Sequence, residues 1–89
     1  MSPAADARCA ELRNLMADTR AMLARDSAAV RHLQNQLDDL TSQPDPDPAA
    51  IAELRAELGD ANQKVADDQQ QLADQQDDFE SLCSGSAGP

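Results

Sequence analysis

TSQPDPDPAAIAEL, residues Thr41 to Leu54, crowds three prolines and two aspartates into the five positions Pro44 to Pro48. Long stretches rich in alanine and leucine lie on either side. A proline locks its own φ, has no amide hydrogen to donate, and pushes the residue before it toward extended geometry. Gln43, Asp45 and Asp47 each precede a proline, so no helix runs through this stretch and the chain must break or turn here. Asp47 followed by Pro48 is also a helix start: a side chain that caps, then a residue with no donor to lose. Ser2 followed by Pro3 repeats the signature at the other end.

Outward from the prolines, apolar residues recur at coiled-coil spacing. Ala5, Cys9, Leu12, Met16, Thr19, Leu23, Asp26, Val30, Leu33, Leu37 and Leu40 alternate steps of four and three. Beyond the turn Ile51, Leu54, Leu58, Ala61, Val65, Asp68, Leu72, Gln75, Phe79 and Leu82 do the same. An unbroken repeat of this kind is the seam of two long helices. If the chain doubles back, Leu40 meets Ile51, Leu37 meets Leu54, and so on to Leu12 with Phe79 and Cys9 with Leu82. Every pair joins an a position to a d position, as an antiparallel coiled coil requires, over ten layers. The expected fold is therefore all-α: an antiparallel coiled-coil hairpin with helices over about 3–41 and 48–83, a proline-rich turn at 42–48, and a flexible tail, SGSAGP, at 84–89. A longer intermolecular coiled coil is the competing arrangement.

Composition narrows the function. One phenylalanine, with no tyrosine or tryptophan in 89 residues, leaves little material for a core or an enclosed pocket. A net charge of −10 opposes direct binding to nucleic-acid phosphates or anionic lipid. No apolar run approaches the roughly 20 residues of a membrane span, and MSPAADAR lacks the apolar centre of a signal peptide. Neither a small-molecule substrate nor a cofactor is indicated. A protein partner, or a second copy of the chain, is the expected company.

Cys9 and Cys83 stand 74 positions apart, yet the hairpin brings them to one end, a single residue out of register with the seam. An intramolecular disulfide leads, with two free thiols and an interchain bond as alternatives. It requires Cα atoms about 4.4 to 6.8 Å apart, and would favour an oxidising, extracytoplasmic compartment. With no CxxC spacing, and with His32 on an outward c position, zinc or thiol-redox chemistry is not expected.

Three further features are candidates for function. Asp26 and Asp68 occupy d positions in neighbouring layers, where a charge is costly unless paired or solvated; Lys64 lies one turn before Asp68. Raised folded-state pKa values are expected for these aspartates, and without a nucleophile or cavity they do not point to catalysis. Leu15, Met22 and Ala29 recur at g positions and widen the apolar stripe of the first helix, facing Asp78, Gln71 and Lys64. Because an isolated two-helix hairpin is marginal, this flank could pair two hairpins into a four-helix assembly. Asp45 and Asp47 form the acidic tip, where Asp47 is accounted for as a cap and Asp45 is not.

A short acidic-tipped coiled-coil hairpin resembles the finger of bacterial transcript-cleavage and secondary-channel regulators of RNA polymerase, which implies that Asp45 and Asp47 act as tip carboxylates inserted into a basic channel. That family's globular domain has no counterpart here. DPAAIAEL after a proline turn is similar to type III secretion needle subunits, small helical hairpins with a P-x-x-P bend, although Pro44, Pro46 and Pro48 are spaced by two. Each likeness covers under a fifth of the chain, which is assigned to neither family. The leading expectation is a non-enzymatic structural or protein-interaction module; a channel-inserting regulator and a secreted or secretion-apparatus assembly component are the alternatives.

Overall fold

The computed structural model describes residues 2–84. The chain folds into a helical hairpin 66 Å long and 19 × 14 Å across. Helix α1 spans Pro3–Thr41 and helix α2 spans Pro48–Phe79, and the chain then continues as a π-helical turn, Glu80–Ser84. Both helices begin at the expected caps. Ser2 Oγ accepts the Ala5 N–H at 3.2 Å and Asp47 Oδ1 accepts the Ala49 N–H at 3.1 Å. At the end of α1 the Thr41 hydroxyl donates to the Leu37 carbonyl at 2.9 Å and the Ser42 hydroxyl to the Asp38 carbonyl at 2.7 Å. The Ser42 N–H donates to the same Asp38 carbonyl at 3.0 Å, and the Gln43 N–H serves the Leu40 carbonyl at 3.3 Å, the one that Pro44, having no amide hydrogen, could not.

Burial follows the seam. Every seam position from Ala5 to Leu40 and from Ile51 to Phe79 is buried or half-buried, while the other residues of α1 and α2 are exposed apart from Ser27 and Ala50. Cover is greatest near the chain ends: Cys9 is 3% exposed, Leu12 1%, Met16 6% and Thr19 1%. At the turn end Leu33, Leu37, Leu40, Leu54 and Leu58 are only half covered. The tighter end has three further devices. Phe79, the bulkiest seam side chain, comes from α2 into this region; the Arg13 guanidinium lies over its ring, 5.5 Å from the centroid; and a disulfide joins Cys9 to Cys83 with Cα atoms 6.0 Å apart.

The disulfide resolves the one-residue mismatch and corrects one layer. Continued as an α-helix, α2 would place Leu82 opposite Cys9. A π-helical turn closes its hydrogen bonds from i to i+5 and so takes in one extra residue. Cys83 thereby moves onto the seam, and Leu82 turns outward to 42% exposure. The Cys9–Leu82 layer is replaced by a covalent bond. The helix expected to run to residue 83 keeps α-helical form only to Phe79, and the tail from residue 85 onward lies outside the described residues.

Two stability measurements follow. Reducing the disulfide, or replacing Cys9 and Cys83 with serine, should lower the unfolding free energy by on the order of 4 kcal/mol through the long loop it closes, enough to leave so small a hairpin largely unfolded by circular dichroism. Gly59 sits on the outer surface of α2 with nothing within 4 Å of where a Cβ would stand. Gly59→Ala should therefore raise stability by about 1 kcal/mol in urea titration.

Candidate functional site

Between Met16 and Asp26 four consecutive layers each pair a polar with an apolar residue: Met16 with Gln75, Thr19 with Leu72, Leu23 with Asp68 and Asp26 with Val65. Thr19 is satisfied locally, its hydroxyl donating to the Leu15 carbonyl one turn back at 2.9 Å. The other polar groups are less well served. Gln75 Oε1 and Asp68 Oδ2 are buried without a hydrogen-bond partner, although Asp68 is only 5% exposed.

Asp68 lies beside Asp26 across the seam, near enough for the two carboxyls to share a hydrogen bond. Two ionised carboxylates can only accept, so a hydrogen bond between them exists only when one is protonated. That bond is the chief reason the Asp68 carboxyl titrates above the ordinary aspartate value of 3.8; burial and the negative charges of Asp26 and Asp67 push the same way, and Arg25 opposes them. Lys64, the neighbour suggested by spacing along α2, is not the cation that acts on Asp68. The cation whose charge opposes the rise is Arg25, on the other helix.

The flank expected along α1 lies in the open. Leu15 and Met22 are each 38% exposed, and Ala29 is exposed with them. Their counterparts across the hairpin, Asp78, Gln71 and Lys64, are themselves exposed and leave the apolar row uncovered. At Ala29 the flank opens into a notch of about 290 Å³, lined also by Leu33 and Ala61 and by Asp26, Glu57, Asp60 and Lys64.

At the tip Asp47 is engaged as the α2 cap through Oδ1, and Asp45 is exposed. The acidic tip thus reduces to Asp45 and the remaining acceptor capacity of Asp47. His32 is exposed on α1, and among the described residues no group of three or more His, Cys, Asp or Glu side chains is placed to hold a metal ion. No helix among the described residues is long and apolar enough to cross a membrane.

No protein family, curated protein or solved structure matches this chain.

The titration of Asp68 carries a sign that can be measured. Since its folded-state pKa lies above 3.8, the folded chain retains a proton that the unfolded chain has released. Stability therefore rises as pH falls from neutral through the raised folded value toward 3.8, and this contribution is lost as pH rises again. Asp68→Asn puts a neutral donor beside Asp26. It should melt at higher temperature than the parent at pH 7 and show a smaller gain on acidification; identical pH profiles for the two proteins would remove the shared proton.

Proposed function

We propose that this chain is a non-enzymatic protein-interaction module: a hairpin stapled at its open end that presents the α1 flank to a helix of a partner protein. The observation that carries this reading is the row of Leu15, Met22 and Ala29, exposed at heptad spacing on a surface otherwise dominated by charged and amide side chains. Single exposed apolar residues are ordinary, but a row at seven-residue intervals matches the groove of an incoming helix. Stapling adds a further reason. A marginal two-helix hairpin would spend binding energy on ordering itself, whereas a constrained one keeps its flank preorganised.

The disulfide also supports work in an oxidising compartment, as an exported or assembly component would require. The shape of the surface argues against a small-molecule site, since the notch beside Ala29 is open to solvent on one side. The flank acts through area and register, and α2 contributes solubility through its eight acids.

Capture experiments with immobilised, oxidised protein test this reading. Leu15→Gln together with Met22→Gln should keep the helical circular dichroism of the parent while reducing recovery of a specifically bound protein by about tenfold or more. Undiminished capture would move the interaction away from the flank.

A further inference from the structure

Resting on the interaction-module reading above, we propose that the helix docked on the α1 flank is α1 of a second copy of this chain, running antiparallel, with the two-fold axis beside Met22. An isologous contact requires one surface to complement itself when reversed. The apolar row does so: about Met22, Leu15 of one copy stands opposite Ala29 of the other, and Met22 meets Met22. A large side chain faces a small one on both sides of the axis. Ala29 borders the open notch that also includes Leu33 and Ala61, which gives Leu15 of the second copy a recess to fill.

The charges beside the row give an independent argument. The exposed c positions of α1 read Glu11, Asp18, Arg25 and His32. Reversed on themselves, they place Asp18 opposite Arg25 and Glu11 opposite His32, twice over. This ladder is centred between residues 21 and 22, half a residue from the centre of the apolar row, a mismatch of under about 1 Å of helix rise. Neither Asp18 nor Arg25 forms a salt bridge within its own chain, where the one such pair among the described residues is Arg8–Glu11 at 2.9 Å.

Pairing through α2 is electrostatically unfavourable. Its c positions are Glu53, Asp60, Asp67 and Asp74, and α2 as a whole has two cations against eight acids, whereas α1 has five arginines against six acids. Stacking α2 on itself sets acid against acid, and stacking it on α1 sets Glu11 and Asp18 against the same column. Docking α1 on α1 keeps the two acidic helices at the outer edges, where solvent and salt screen them.

Sedimentation equilibrium of the oxidised chain from micromolar to millimolar concentration tests the assignment. The parent should show a concentration-dependent dimer. Asp18→Arg or Arg25→Asp alone should weaken it by about tenfold or more, because each sets like charges opposite one another, and the double swap should restore it. Met22→Cys should close a covalent dimer under mild oxidation, while Gln69→Cys on the opposite flank should not. A monomer at every concentration, or a dimer indifferent to the swaps, overturns self-association. If that monomer still loses a captured protein on Leu15→Gln and Met22→Gln, the interaction module survives with another partner; if capture is also unaffected, both readings fall.

Discussion

The structure depends on one constraint: a proline-rich segment that no helix can traverse, placed so that the two halves of the chain meet a-to-d when they turn back. With the break at Pro44 to Pro48 the apolar columns of α1 and α2 face each other; a turn one residue longer or shorter would set both columns out of register. Hydrophobic burial along the seam then orders the helices. Because two helices cover each other only partly, the leucines near the turn remain half exposed, and the hairpin has little stability to spare.

The open end compensates through chemistry as well as packing. The disulfide limits the unfolded chain, and the π-helical turn is the local distortion that lets it form without shifting the layers above. A π-turn sacrifices regular α-helical hydrogen bonding, and here it exchanges a leucine layer for a covalent link. The polar layers run the other way: Gln75 and Asp68 bring buried oxygens with no partner, and the neighbouring Asp26 raises the pKa of the Asp68 carboxyl. Polar layers within an apolar seam favour a single register, since a shifted pairing would bury these groups against different apolar neighbours with no better hydrogen bonding.

The two helices divide the surface work. Most of the chain's net charge of −10 is carried by α2, while α1 bears the apolar flank and five of the seven cations. On the proposed reading, that division leaves one side of the hairpin open to association and puts most of the like charge on the other. An elongated body 66 Å long offers its flank as a line and not as a pocket, which suits recognition of another helix.

Periodicity and punctuation are local, so residues alone determined the helices, the caps at Ser2 and Asp47, the antiparallel seam, the exposed row at Leu15, Met22 and Ala29, and the convergence of Cys9 with Cys83. Heptad counting assumes an unbroken α-helix, and it therefore misplaced Leu82 on the seam. Whether the helix yields to a π-turn is decided by the energy of a bond to a residue 74 positions away. The influence of Arg25 on the Asp68 carboxyl, the Arg13 cap on Phe79 and the unpartnered oxygen of Gln75 were likewise settled by tertiary structure, because each depends on the distance between side chains on different helices, which spacing along one helix does not encode.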